Sequence, residues 1–240
     1  MRIWGYWATL GWAFFALVAG QFAALAALLW IRLRWIRLSD VSSLLSTPFD
    51  GAMVTLFIMI ANPVTMAVIA LAVWLKRGGQ VEYLALMWPP KRDVRIGLVW
   101  LVGLIALGDA LLYFSGYPLV TPFQLQSYTT AAAEGWLPAL LIGAVIAAPA
   151  GEEIMFRGFL FRGWVRSDRA AWPAIVVISV LWAALHVQYD WTGILQIFVI
   201  GLFLGWMRWR SGSTLLTLLL HGLFNVEGSL ETVLQVRFFS

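Results

Sequence analysis

The chain has no cysteine, two histidines and two asparagines among its 240 residues, and only 12% of them are charged. The missing cysteine removes disulfides, thiolate nucleophiles and thiolate metal sites from consideration at once. The scarcity of charge, set against 62% hydrophobic residues and a mean hydropathy of +0.85, excludes an ordinary soluble domain. Apolar runs of about twenty residues recur instead, long enough to cross roughly 30 Å of hydrocarbon. An open sheet would leave backbone groups unpaired in lipid, so the expected fold class is all-α, a polytopic transmembrane helical bundle. Fifteen tryptophans suit interfacial belts, although several must lie deeper. A net charge of +4 in a soluble protein would hint at nucleic acid. Here the basic residues sit at span ends, where topology accounts for them, and no nucleic-acid partner is expected.

About seven spans are expected, or eight if the C-terminal tail adds one. The first runs from Trp7 to Trp30, too long for the apolar core of a signal peptide and followed by no clean small-residue cleavage site. Arg32, Arg34, Arg37 and a polar stretch through Asp50 come next. The second span covers Ala52 to Leu75, with a kink or break expected at Asn62-Pro63. Residues 78–95 mix Pro, Lys and Arg with aromatics and read as a segment lying on the membrane surface. The third span is Ile96 to Phe114, and a linker without Lys or Arg covers residues 115–136. The fourth runs from Leu137 to about Arg166, loosened by Pro149 and Gly151. Pro173 to Val187 and Thr192 to Met207 make the fifth and sixth, and Gly201 with Gly205 lets a neighbouring helix approach the sixth closely. Ser213 to Val226 is the seventh, leaving a short, charged tail from Glu227.

Within the fourth span, Glu152, Glu153 and Arg157 interrupt an oily run, and charge in hydrocarbon needs partners or a function. Glu153 and Arg157 are four apart with the acid first, the favourable orientation for a helical ion pair. Glu152 is rotated by about 100° and cannot share that arginine equally. One carboxylate is therefore held, and its neighbour is free for chemistry. Both histidines, His186 and His221, fall in expected spans. A lone membrane histidine is often mere hydrogen-bonded packing, but two out of two beside paired glutamates favour a shared site. Asn225 follows His221 by four residues and shares its helix face. At 1.5 Å per residue, Glu152, His186 and His221 lie about 21, 20 and 12 Å from the basic ends of their spans, compatible with one layer.

A carboxylate and a histidine that hold a water can deprotonate it for attack on a carbonyl. A histidine and an asparagine on one face can donate to the oxyanion that develops. His, His and Glu are also zinc ligands, but H-E-x-x-H is absent and no carboxylate is assignable to orient either imidazole. The G-x-S-G pattern of rhomboid-type serine proteases is absent too. Tyr189-Asp190 and Gly108-Asp109 match aspartyl intramembrane proteases poorly, since the second lacks G-x-G-D and Asp190 falls in a turn.

The motifs E-E-x-x-x-R at Glu152, Glu153 and Arg157, aromatic-x-x-x-His from Trp182 to His186, and H-x-x-x-N from His221 to Asn225 occur in that order. They resemble the CPBP family, the CAAX prenyl protease 2 and bacteriocin-processing intramembrane proteases also called Abi, over about residues 137–228. The resemblance implies a hydrolase in which Glu152 and His186 activate water, His221 and Asn225 form the oxyanion site, and Glu153 with Arg157 supports them. It implies a glutamate-dependent protease with no metal or other cofactor, zinc being the alternative. It also divides the chain into N-terminal helices and surface segment (1–136), a catalytic core (137–228) and a tail (229–240). Two departures stand out. Trp182 occupies a position where Phe is usual, and the tail falls short of the eighth helix often found.

The resulting expectation is an intramembrane endopeptidase of a bacterial inner membrane, surrounded by lipid bilayer and acting on a membrane-associated protein or peptide. The alternative is a non-enzymatic scaffold or bacteriocin self-immunity protein. A small transporter would call for an inverted repeat, which is missing.

The positive-inside rule places loops 76–95, 157–172 and 208–212 in the cytoplasm, although it strands Arg32, Arg34 and Arg37 outside. Reporter fusions after Arg95, Arg169 and Arg210 should read cytoplasmic, and those at Thr130 and Asp190 external. An external reading at Arg169 inverts this topology.

Overall fold

The computed structural model describes residues 2–35 and 50–239. Arg37 and the polar stretch that follows it, as far as residue 49, lie outside the described residues. Every regular element among the described residues is helical. The elements are α1 (Tyr6–Trp35), α2 (Gly51–Leu75), α3 (Gln80–Leu84), α4 (Lys91–Phe114), α5 (Pro122–Ala133), α6 (Leu137–Trp164), α7 (Asp168–Ala184), α8 (Trp191–Ser211) and α9 (Thr214–Phe239). Five of these, α1, α2, α4, α6 and α8, are long and apolar enough to cross a membrane. The fifth and seventh expected spans fall outside that set. Helix α7 has only 17 residues, and α9 is long but carries His221, Asn225, Glu227 and Glu231.

Local chemistry explains most boundaries. The Asp50 carboxylate accepts the Met53 N–H at 2.9 Å and caps α2. Helix α2 then continues through Pro63 without the break expected there. The surface segment is shorter than its composition suggests, because Lys91–Arg95 already form the first turns of α4. The linker after α4 is also more ordered than expected. Thr121 and Gln124 make a reciprocal capping box with Pro122 at the first helical position, and together they start α5. The tail from Glu227 is not a separate piece, since α9 continues through it to Phe239.

Helix α6 departs from regular geometry twice, with π-helical turns at residues 143–147 and 154–160 on either side of Pro149–Glu153. The loosening expected at Pro149 and Gly151 is thus displaced to their flanks. Such wide turns are rare and concentrate at functional positions.

Contacts sort the connections onto two ends. At the first, the Trp4 indole donates to Ala72 O, Arg166 donates to Trp4 O, and Thr214 N–H donates to Ala85 O. Arg210 pairs with Asp93 at 2.9 Å there as well. At the second, Gly51 N–H donates to Thr130 and Phe123 meets Tyr189 edge-on. The first end carries Lys76, Arg77, Lys91, Arg92, Arg166 and Arg169, and the connector before α7 is only residues 165–167.

Helices α7 and α8 approach closely through the two glycines of α8. A Cβ on Gly205 would lie 2.7 Å from Ile175 Cγ2, and one on Gly201 would lie 3.0 Å from Ser179 Cβ. Overpacking at such a contact costs about 1–3 kcal/mol. Gly205→Val should therefore lower the melting temperature of detergent-solubilised protein. Gly103→Ala, whose added Cβ meets nothing within 4 Å, should leave it unchanged or raise it.

Candidate active site

The site begins where α2 presses on α6. A Cβ on Gly151 would collide with the Asn62 side chain, so glycine lets the backbone carrying Glu152 come this close. The next residue, Glu153, is wholly buried, and its Oε1 accepts Arg157 Nη1 at 2.9 Å. The same oxygen receives His221 Nδ1 from α9, also at 2.9 Å. Arg157 in turn donates to Gly201 O on α8 at 3.2 Å and lies over the Trp182 ring at 4.4 Å. Its own carbonyl accepts Arg208 Nε at 3.0 Å. One buried ion pair thus gathers α6, α7, α8 and α9. Glu153 also supplies the carboxylate that the sequence left unassigned, since it orients the His221 imidazole.

Glu152 faces the other way. Its Oε2 accepts the Trp182 indole N–H at 2.5 Å and lies 4.0 Å from His186 Nε2. Both side chains remain partly open, at 23% for Glu152 and 17% for His186. His186 is not inside a membrane helix as expected. Helix α7 ends at Ala184, and His186 sits in the turn beyond it. There His186 Nδ1 meets Trp182 O at 2.8 Å. A carbonyl only accepts, so Nδ1 carries a proton, and in the neutral imidazole the lone pair of Nε2 lies on the side of Glu152.

Glu152, His186, His221 and Asn225 all line one cavity of about 710 Å³, whereas Glu153 and Arg157 stand behind its wall. Asn225 donates one amide hydrogen to Ala144 O at 2.8 Å, fastening α9 to the first wide turn of α6 and leaving its second amide hydrogen. His221 is 3% exposed, with Trp182 edge-on to it at 5.2 Å.

Sequence reasoning gave other groups on this cavity no role. Tyr189, in the turn after α7, stacks on His186 at 6.1 Å. Burial and the nearby Glu152 charge push its phenol up to about 12, so it stays a hydroxyl donor. Asp109, Glu227 and Glu231 bring one oxygen each to within 4.8 Å of one another at a separate part of the wall. Asp109 matches no catalytic motif and Glu227 and Glu231 fall in the expected tail, so the sequence separation of the three gives no signal of their convergence. Among the described residues, this trio is the group whose donors converge closely enough to hold a metal ion; Glu152, His186 and His221 do not meet that spacing.

Comparison with known proteins agrees with the motifs. Residues 134–226 match the family described as type II CAAX prenyl endopeptidase Rce1-like. That match bears out the family resemblance for this segment and, with the five apolar helices, indicates an integral membrane protein. The chain is also similar to an uncharacterized 24.3 kDa protein of Escherichia coli, with 32% identity over 133 residues. That similarity covers 52% of this chain and 60% of the relative's length. No solved structure matches.

The two neighbouring glutamates should fail differently. Glu153→Gln leaves Arg157 and His221 without their shared anion, and breaking a buried pair costs about 3–5 kcal/mol. A large loss of melting temperature in detergent is expected. Glu152→Gln, which faces the cavity, should stay near wild type. Equal losses would contradict this division of roles.

Proposed function

We propose that this protein is an intramembrane endopeptidase that cleaves a peptide bond in a membrane-associated protein or peptide, acting in a bacterial inner membrane. The observation that carries this reading is the facing pair of Glu152 Oε2 and His186 Nε2, 4.0 Å apart on the cavity with the imidazole tautomer fixed. Two acceptors at that separation suit one water between them, which donates one hydrogen to each. Its lone pair then points into the cavity. As it attacks the carbonyl carbon, one proton passes to the Glu152–His186 pair, and the same proton returns to the departing amine when the C–N bond breaks.

The developing oxyanion needs donors. The second amide hydrogen of Asn225 is one. His221 Nδ1 donates to Glu153, so its Nε2 donates only in the doubly protonated form, whose charge the developing oxyanion would balance. Glu153 and Arg157 serve by holding this imidazole. We propose that the reaction needs no metal. Support comes from the spacing of Glu152, His186 and His221, whose donors do not converge as a ligand set. The Rce1-like match supports a CAAX-protease-like substrate class, a membrane-tethered chain.

Comparison of peptide termini from the membrane and secreted fractions of cells carrying wild type or Glu152→Gln tests this. Termini present only with wild type are expected, and purified protein should keep cleaving such a substrate after prolonged chelation. Full cleavage by Glu152→Gln would remove the assignment. Loss on chelation, restored by stoichiometric zinc alone, would replace it with a metalloprotease.

A further inference from the structure

Trp182 makes more contacts with the site's polar groups than a wall residue needs. It is 1% exposed at the end of α7. Its indole N–H donates to Glu152 Oε2, the same oxygen that faces His186. Its backbone carbonyl receives His186 Nδ1. Its ring has His186 edge-on at 5.3 Å, His221 edge-on at 5.2 Å and the Arg157 guanidinium at 4.4 Å.

We infer that Trp182 is a positioning residue, aligning the Glu152 carboxylate through its indole N–H while its carbonyl fixes the tautomer of His186. This deepens the peptidase reading and rests on it. A carboxylate on a helix rotates about its last bonds, and a single charge-assisted donor of fixed direction removes that freedom. The indole is rigid and buried, clamped between Arg157 and two imidazoles, so its N–H direction is set by packing rather than by chance. The carbonyl of the same residue sends the His186 proton to Nδ1 and leaves Nε2 to accept. Both halves of the water-activating pair therefore take their orientation from one residue. Phenylalanine at this position would supply the ring and the carbonyl but no donor.

The test separates alignment from packing. Trp182→Phe removes the N–H, and incorporation of β-(3-benzothienyl)alanine at the same position replaces N–H by sulfur at almost unchanged shape. The carboxylate stretching band of Glu152, isolated as the infrared difference between wild type and Glu152→Gln, should shift in both variants. With a substrate identified as above, kcat should fall about tenfold, the worth of a charge-assisted hydrogen bond, with KM unchanged. The infrared shift requires no substrate, so it stands even if no cleavage is found. In a folded benzothienyl variant, an unmoved band together with an unchanged kcat overturns the inference.

Discussion

A carboxylate and a guanidinium with essentially no access to solvent sit at the centre of this bundle, and the rest depends on their mutual neutralisation. Glu153 and Arg157 could not remain in a dry interior singly, where removal of one partner exposes the other's full desolvation cost. Their hydrogen-bonding capacity then reaches outward. Arg157 ties α6 to the backbone of α8 at Gly201, and Glu153 ties it to α9 at His221. The glycine that accepts from Arg157 is also one of the two through which α7 and α8 approach closely. Charge pairing and helix packing are thus one feature, and the imidazole that faces the cavity is held by the side of it that faces away.

Much of this was legible from spacing alone. The i,i+4 rule distinguished Glu153 from Glu152, and the structure has one buried in an ion pair and the other on the cavity. Five of the expected spans were readable because lipid demands long apolar helices. Errors arose where polar side chains satisfy backbone or pack across distance. Helix α7 ends early with His186 using its own ring on the Trp182 carbonyl, a local bond that hydropathy does not register. The capping box at Thr121 turns an apparent linker into α5. The meeting of Asp109 with Glu227 and Glu231 joins α4 to α9, and no local pattern encodes that.

The wide turns of α6 add a further limit. A helical wheel drawn at a constant angle holds through Ala148–Glu153, the regular segment between them, but loses phase on either side. That segment carries the two glutamates, but Arg157 lies in the second wide turn, so the Glu153–Arg157 pair holds across the change of geometry. Asn225 binds Ala144 O in the first wide turn, so the irregularity is pinned by a side chain from another helix.

None of the residues that line the cavity comes from the connections at the basic end, residues 76–90, 165–167 and 212–213; its rim is formed by the segment around Phe123 and the turn around Tyr189. The bundle is in this respect a blind well rather than a pore. What enters the well from an end of the bundle shares one mouth, between the segments around Phe123 and Tyr189.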